Sequence, residues 1–204
     1  MTTIEHTAHL SGPITLHITT QAADVQIVAD PRVSGTWIEL STPDTSGPAV
    51  DAIRAAEFRD DGRDVHLKLT EGTNIVNNLG SVTIGNYSSM TVVNGVVIGA
   101  SGNFASSGIT VRAITEPGSA VVVKTMSGDV TTKNVGAVRA QTMSGDIKAD
   151  GLTRDSSLKS MSGDIRVTGD GRPRVTASTM SGDVTGKAVD LNARSMSGRV
   201  RQVA

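Results

Sequence analysis

Apolar and polar residues alternate over several short stretches of the chain, and glycine and proline separate these stretches. Near the N-terminus they are residues 14–18 (ITLHI), 24–29 (DVQIVA) and 36–40 (TWIEL). Successive side chains of a strand point to opposite faces of a sheet, so this period of two predicts half-buried β-strands. Residues 57–69 predict a hairpin with Asp-Gly at its tip, and residues 49–57, which follow a proline, predict one short helix.

The C-terminal part of the chain repeats one short sequence. Met-Ser-Gly occurs five times, and its methionines are spaced by 17, 18, 19 and 16 residues. A drifting period of this length excludes a heptad coiled coil and fits one coil of a β-solenoid, with two short strands and two corners. The predicted fold class is all-β: a single-chain β-solenoid of stacked short strands with repeats of about 17 residues, an irregular N-terminal β cap and one short helix.

Parity within each repeat predicts which side chains point into the coil. In the second copy it places Val138, Ala140, Thr142 and Ser144 inside and Met143 outside. Applied to every copy, it predicts an inward column of hydroxyls that supply hydrogen bonds to one another. This column comprises Thr125, Thr142, Ser160, Thr179 and Ser195, each with the serine two positions later, including Ser162 in the third copy.

The same parity predicts an outward column of thioethers. Stacked coils place equivalent residues about 5 Å apart, and an exposed apolar stripe usually marks a contact surface. The alternative is a bulge at the Ser-Gly corner that turns these side chains into the core. The predicted interaction stripe is Met126, Met143, Met161, Met180 and Met196.

Glycine and aspartate follow each Met-Ser pair and are expected to build the corners. Glycine adopts backbone angles that other residues resist, and aspartate accepts hydrogen bonds from corner N–H groups. A row of calcium ions on the aspartates is the alternative, but the Gly-Gly-x-Gly-x-Asp pattern of calcium-binding β-rolls is absent. We expect Lys148, Arg166 and Arg201 to offset the carboxylate charge instead. The corner residues are Gly128, Asp129, Gly145, Asp146, Gly163, Asp164, Gly182, Asp183 and Gly198, and Arg199 replaces aspartate in the last copy.

A long uncharged segment separates these two parts. Residues 72–111 contain no charged side chain, and residues 90–99 (MTVVNGVVIG) predict a hairpin with Asn-Gly at its turn. Such a segment lacks the charges that protect exposed strand edges, so its own chain or a neighbouring subunit must cover it. The predicted oligomerisation arm is Val92, Val93, Asn94, Gly95, Val96, Val97 and Ile98. The chain thus divides into an N-terminal cap region (1–71), the insertion (72–119) and the repeat solenoid (120–204).

Composition and charge exclude several classes of protein. The net charge is −1, but residues 1–119 carry −6 and residues 120–204 carry +5. This asymmetry either attracts two molecules to one another or has no functional meaning, and the second interpretation is favoured. The absence of cysteine excludes disulfides and thiolate sites. The sequence shows no signal peptide, transmembrane stretch or basic–aromatic pattern for nucleic acid, so the expected location is cytoplasmic.

Candidate catalytic chemistry is weak. The repeat serines lack a nearby base in sequence, because all four histidines precede residue 70, and no Gly-x-Ser-x-Gly motif occurs. Metal binding by His6, His9 and His17 has neither a compelling spacing nor an adjacent carboxylate cluster, so solvated strand histidines are favoured. We therefore expect no catalytic, cofactor or metal site.

The Ser-Gly-Asp repeats resemble the bacterial putative-adhesin family of β-strand-repeat proteins, a family of unknown function. Residues 12–32 (GPITLHITTQAADVQIVADPR) and 49–69 (AVDAIRAAEFRDDGRDVHLKL) resemble its actinobacterial branch. The resemblance implies a β-solenoid without a known catalytic site. This chain departs from the pattern in its long uncharged insertion and in the methionine of every repeat.

Three functions follow as hypotheses. The favoured one is a non-catalytic structural protein that forms a homo-oligomer or filament through the interaction stripe and the arm. The second is a docking module for another protein in an envelope-stress or regulatory system. The third, a carbohydrate-active enzyme, is disfavoured because the outward aspartates are interleaved with Lys and Arg, and only four Phe, Tyr or Trp residues occur in the chain.

Overall fold

A computed structural model of the chain describes residues 1–8, 10, 12–70, 87–93, 96–102 and 108–203, with the backbone alone for 87–93 and 96–102. Within these ranges it contains one helix, α1 (Pro48–Arg54), and nineteen strands. The strands are β1 (Thr2–Ala8), β2 (Thr15–Thr19), β3 (Asp24–Ala29), β4 (Thr36–Thr42), β5 (Glu57–Asp61), β6 (Asp64–Lys68), β7 (Tyr87–Val93), β8 (Val96–Gly102), β9 (Thr110–Thr115), β10 (Ala120–Lys124), β11 (Val130–Lys133), β12 (Ala137–Gln141), β13 (Ile147–Leu152), β14 (Ser156–Lys159), β15 (Ile165–Gly169), β16 (Arg174–Ser181), β17 (Val184–Lys187), β18 (Asp190–Ser197) and β19 (Val200–Val203).

Two sheets face each other and form the solenoid that the repeats predict. The first has the strand order β1-β4-β9-β3-β11-β13-β15-β17-β19, and the second has the order β18-β16-β14-β12-β10-β2-β6-β5. Each coil gives one strand to each sheet, and equivalent strands of successive coils pair in parallel. We number the coils 1 (β2, β3), 2 (β10, β11), 3 (β12, β13), 4 (β14, β15), 5 (β16, β17) and 6 (β18, β19).

Coil 1 is separated from coil 2 by ninety residues of sequence but pairs with it directly. Strand β2 pairs with β10 from Thr15 opposite Ala120, and β3 pairs with β11 from Val25 opposite Val130. On the other side of coil 1, β6 pairs with β2 and β9 pairs with β3, both in parallel. These two strands form a seventh, interrupted coil, which we call the split coil, because residues 69–109 lie between its strands.

The core consists of columns of small aliphatic side chains between the two sheets. One column in the first sheet contains Val25, Val130, Ile147, Ile165 and Val184, which are at most 1% exposed. Alternation within the strands produces these columns, because the intervening residues face solvent. Val, Ile, Ala and Leu fill the space between two closely packed sheets without aromatic residues.

The N-terminal end of the solenoid is closed by a cap. Strand β4 pairs antiparallel with β9 and β1 pairs antiparallel with β4, which extends the first sheet, and β5 extends the second sheet antiparallel to β6. Helix α1 packs on β1 and β4 and buries Val50, Ala52 and Ile53. The ring of His6 on β1 stacks on Phe58 of β5 at 4.5 Å between ring centres, which joins the two sheets across the end of the core.

The structure confirms the β-solenoid class, the helix after Pro48 and the hairpin of β5 and β6. The predicted hairpin in the insertion corresponds to β7 and β8, which pair antiparallel with Val92 opposite Val97 and Val93 opposite Val96. Its predicted turn residues, Asn94 and Gly95, lie outside the described residues. No helix in the described part of the chain is long and apolar enough to cross a membrane.

Candidate functional site

The repeated corners between the second and first sheets form one continuous edge of the solenoid. The N–H groups of Met143 and Ser144 both donate to the carbonyl of Met126, at 3.1 and 2.7 Å. The pattern continues upward, where Ser162 N–H donates to Met143 O at 2.8 Å and Ser181 N–H donates to Met161 O at 2.9 Å. The methionine of each coil therefore lies beside that of the next, one strand spacing away, about 4.8 Å. We call this edge the methionine edge.

The methionine side chains point outward, as parity predicts. Their exposed fractions are 38% for Met126, 46% for Met143, 45% for Met161, 47% for Met180 and 79% for Met196. The alternative, in which a bulge turns them into the core, is wrong. The structure does break the alternation at the corner, but it affects the serines: Ser144, Ser162, Ser181 and Ser197 are exposed beside the methionines, so their predicted inward position is wrong.

The aspartates of the corners form a ladder of hydrogen bonds from coil to coil. Oδ1 of Asp129 accepts the N–H of Asp146 at 2.8 Å, Oδ1 of Asp146 accepts that of Asp164 at 2.8 Å, and Oδ1 of Asp164 accepts that of Asp183 at 2.9 Å. The last rung joins Asp183 to the N–H of Arg199 at 2.8 Å. These carboxylates therefore stabilise the stacking of corners, as the turn interpretation expects. Among the described residues no group of three or more His, Asp or Glu side chains could hold a metal ion.

Arg199 can replace aspartate because no coil follows coil 6 in the described chain. An aspartate there would have no corner N–H to accept. Of the three cations expected to offset the ladder charge, Arg166 contacts Asp164 at 2.9 Å, whereas Lys148 contacts Asp150 at 3.6 Å. The prediction for Lys148 is therefore wrong, since Asp150 lies outside the ladder.

Each corner glycine is required because the coils approach closely at this point. A Cβ on Gly145 would lie 2.3 Å from the carbonyl oxygen of Gly128, and a Cβ on Gly163 would lie 2.2 Å from that of Gly145. Real Cβ atoms essentially never come within 3.0 Å of other heavy atoms. The predicted reason, unusual backbone angles, applies only to Gly182 among the five, with φ of 154°. In the other four corners the glycine is needed for space.

Coil 1 has the same corner with a different sequence. Asp24 is its aspartate, because Oδ1 of Asp24 accepts the N–H of Asp129 at 3.1 Å. Residues 20–25 (TQAADV) thus correspond to residues 125–130 (TMSGDV), with Gln21 at the methionine position and Ala23 at the glycine position. Sequence reasoning missed this rung, although the shared Thr-x-x-x-Asp-Val was a usable signal.

The hydroxyl column is buried but does not bond to itself. Ser160, Thr179 and Ser195 donate to the carbonyls of Gly145, Gly163 and Gly182, at 3.2, 3.2 and 2.9 Å. Thr125 Oγ1 donates to Gln21 O at 3.4 Å and accepts the N–H of Gly128 at 3.1 Å. Thr142 Oγ1 is buried without a hydrogen-bond partner among the described residues. The prediction that these hydroxyls supply one another is therefore wrong, because the other four donate to carbonyls in the corner of the preceding coil.

The insertion leaves the solenoid at the methionine edge. The N–H of Leu69, just after β6, donates to Thr19 O at 2.8 Å, and Ile109 O, just before β9, accepts the N–H of Asp24 at 3.0 Å. Residues 71–107 thus take the place of a Met-Ser-Gly-Asp corner in the split coil. The insertion therefore leaves the solenoid from the same edge on which the methionines lie, although the two are far apart in the sequence.

The described histidines lie in the N-terminal part of the chain, and each stacks on another ring. His17 stacks on His66 with 4.4 Å between ring centres, and Nε2 of His17 lies 3.5 Å from Asp64. His6 stacks on Phe58, and its Nε2 lies 3.2 Å from Asp60. His9 lies outside the described residues. None of the described histidines approaches the repeat serines that would need a base, since the pairs involve strands β1, β2, β5 and β6.

The chain matches one protein family and is similar to several solved structures. Residues 15–203 match the family model described as Toastrack DUF4097. Similar solved structures include a putative cell adhesion protein from Clostridium sporogenes, at 6% identity and a TM-score of 0.45, covering 98% of this chain and 99% of that one. A putative adhesin from Bacteroides fragilis has 10% identity and a TM-score of 0.42, with 99% and 97% covered. A search of curated proteins found no significant match. Because the family match spans both the early coil and all five repeats, the chain belongs to the Toastrack DUF4097 family.

Proposed function

We propose that this protein is a non-catalytic structural protein that associates with copies of itself through the open end of its solenoid. The observation that carries the proposal is the exposure of the last coil. Val200 continues the core column that contains Val184, yet it is 49% exposed where the other members are at most 1% exposed. Leu191, opposite the buried Val175, is likewise only partly buried.

Open strand edges accompany this apolar surface. Within the described residues, β19 ends the first sheet and β18 ends the second, so neither has a partner on its outer side. Unpaired edges with exposed apolar side chains are templates for further strand pairing. A second solenoid placed there would bury Val200 and extend both sheets.

Charge indicates which end of the second copy docks. The last coil carries three exposed arginines: Arg194 on β18, Arg199 in the last corner and Arg201 on β19. At the other edge of the second sheet, β5 carries three exposed acidic residues, Glu57, Asp60 and Asp61, and one exposed cation, Arg59, which pairs with Asp61 at 3.0 Å, so the strand stays acidic. Contact between two C-terminal ends would bring the arginines together, whereas head-to-tail contact pairs unlike charges. The proposed assembly is therefore head to tail.

The test is sedimentation velocity over a range of protein concentrations and salt. We expect concentration-dependent assembly that weakens as salt rises, because screening reduces the attraction between the two ends. Val200→Arg should abolish assembly, and Val28→Arg, which changes another exposed valine on the side of the solenoid, should leave it intact. A protein that stays monomeric at all concentrations would contradict the proposal.

Charge exchange separates head-to-tail from tail-to-tail contact. Arg194→Glu and Asp61→Lys should each weaken assembly alone, and the two together on one chain should restore it. Loss with Arg194→Glu but no effect of Asp61→Lys would indicate a different orientation, because β5 would then not be part of the contact.

The oligomerisation arm is a further proposed contribution. The insertion is uncharged from residue 72 to residue 111 and begins at the methionine edge. Replacing residues 72–107 with a short Gly-Ser linker should weaken assembly if the arm reaches a neighbouring copy. Unchanged assembly of this variant, with an unchanged melting temperature, would remove the arm from the contact.

A second candidate function is a docking module for another protein in an envelope-stress or regulatory system. The exposed methionine edge favours it, because methionine adapts to irregular partner surfaces. Met143→Lys with Met161→Lys should abolish recovery of a defined partner, while Val28→Lys should not. Full recovery with the methionine variant would exclude this face.

A further inference from the structure

We propose that the methionine edge binds a soft monovalent metal ion, Cu(I) or Ag(I), through the thioethers of neighbouring coils. This site is separate from the open end and involves no residue of the proposed end-to-end contact. Thioethers are neutral, polarizable ligands that select Cu(I) among the biological metals. With no cysteine in the chain, methionines supply its soft ligands.

The backbone holds the ligands at a fixed spacing. The corner hydrogen bonds link Met126 to Met143, and they link Met143 and Met161 to the serines of the next coils. Met180 lies opposite Met196 in the register of β16 and β18, between the pairs Thr179–Ser195 and Ser181–Ser197. Neighbouring side chains thus start about 4.8 Å apart, and each has three rotatable bonds with which its sulfur can turn toward a shared ion. Met161, with a methionine on both sides, is the centre of the best group of three.

The identity of the side chain also points to sulfur chemistry. An apolar contact surface would accept Leu, Ile or Val, and the inward columns do vary among Val, Ile, Ala and Leu from coil to coil. The residue two positions before the methionine varies as well, from Lys to Gln, Ser and Arg. Methionine alone is kept at this outward apolar position in all five copies. Five of the seven methionines in the chain lie on this one line.

The surrounding charges are compatible with a single positive ion. Lys124, Lys159 and Arg194 lie on the same strand face as the methionines of coils 2, 4 and 6, whereas Gln141 and Ser178 are the neutral neighbours in coils 3 and 5. The aspartate ladder runs parallel to the methionines, three residues further along each corner. Met143 and Met180, beside Gln141 and Ser178, therefore have the least repulsive surroundings, whereas Met161 between them lies beside Lys159.

The experiment uses the full chain labelled with ¹³C at the methionine methyl groups and titrated with Ag(I) in chloride-free buffer. We expect the methyl signals of Met143, Met161 and Met180 to shift together at low equivalents, before those of Met1 and Met90. Zinc should shift none of the edge signals, because it prefers harder or anionic ligands. Equal, unsaturable shifts of all seven methionines would overturn the site, since they would show independent weak thioethers.

Variants make the assignment quantitative. Met143→Leu, Met161→Leu and Met180→Leu together keep the apolar surface and remove the sulfurs, so Ag(I) affinity should fall at least about tenfold. The matched control Met90→Leu should bind as the unmodified chain does. Anaerobic competition for Cu(I) against a chromogenic chelator should rank the affinities of these variants in the same order. Unchanged affinity in the triple variant, or loss only after His66→Gln, would overturn the proposal.

The same variants separate this site from the proposed function. Sedimentation of the triple leucine variant should equal that of the unmodified chain, because its open end is intact. Failure of metal binding therefore leaves self-association untouched, and failure of self-association leaves the metal site untouched.

Discussion

The two ends of the solenoid differ in how they finish the core. At the N-terminal end, α1, β1, β4 and β5 cover the first coils, Ile53 is fully buried, and β5 presents charged residues to solvent. At the C-terminal end the repeat stops at β18 and β19 and leaves Val200 and Met196 exposed. Solenoids generally require polar capping at both ends to stay soluble. Within the described residues one end of the core is therefore covered and the other is open, and the proposed self-association uses the open end.

The largest expected difference between the ends is in the energy of their apolar contacts. Ile53→Ala in the cap should lower the free energy of unfolding by about 3 kcal/mol, within the range for fully buried aliphatic truncations. Leu191→Ala in the last coil should lower it by about 1 kcal/mol, because that side chain is already partly hydrated. Urea denaturation at a concentration where the protein is monomeric measures both. Equal losses would show that the last coil is covered in solution.

The corner glycines give the next largest contrast. Gly145→Ala should cost about 3 kcal/mol, because the methyl group would collide with the carbonyl of Gly128 and coils on both sides hold it in place. Gly198→Ala creates a similar collision, 2.0 Å from Gly182 O, but coil 6 can move away because no coil lies beyond it. Its cost should be less than half as large by thermal denaturation. Gly171→Ala is the control for a glycine whose Cβ position is open; its φ of +81° limits it to a backbone effect.

Much of the fold could be predicted from the sequence because the repeats obey local rules. Alternation placed the core columns correctly, and the outward position of the methionines followed from the same parity. Parity failed one residue later, at Ser144 and its equivalents, because the corner breaks the strand geometry on which the rule depends. The outward position of Ser144 beside Met143 is therefore a property of the corner and not of the alternation.

Other features depend on contacts that sequence patterns do not show. Coil 1 pairs with coil 2 across ninety residues, and its corner is hard to recognise because Gln21 and Ala23 stand where the repeats have Met and Gly. Strand β1 was not predicted, since its Thr, Glu and His residues give little contrast between faces at a sheet edge. The split coil itself cannot be recognised locally, because its two strands are separated by the insertion.

The aspartate ladder should show a smaller difference in stability, again with interior coils more sensitive than the terminal coil. Asp146→Ala removes the acceptor of the Asp164 N–H, which sits between two further coils, so unfolding should be easier by about 1 kcal/mol. Asp183→Ala removes the acceptor of the Arg199 N–H in the terminal coil, where water can replace it. The free energy of unfolding should therefore fall by only about 0.3 kcal/mol. Asp146→Asn keeps an acceptor oxygen and is the matched control. Amide hydrogen exchange at residues 164 and 199 reports the two bonds separately, and equal protection losses would contradict the difference between interior and end.

The smallest effect on stability should come from Val200, and it is the most informative. Val200→Thr keeps the shape of the side chain and adds a hydroxyl at a position that is 49% exposed, so the monomer should change by less than about 0.5 kcal/mol. Val184→Thr, one coil inward and fully buried, places the hydroxyl in the apolar column and should cost clearly more. Assembly should respond in the opposite order: Val200→Thr weakens it at once, because the desolvated hydroxyl would lie in the contact, whereas Val184→Thr affects it only through folding. If Val200→Thr leaves sedimentation unchanged at every concentration, the end of the solenoid is an ordinary solvated terminus and its exposure carries no role in assembly.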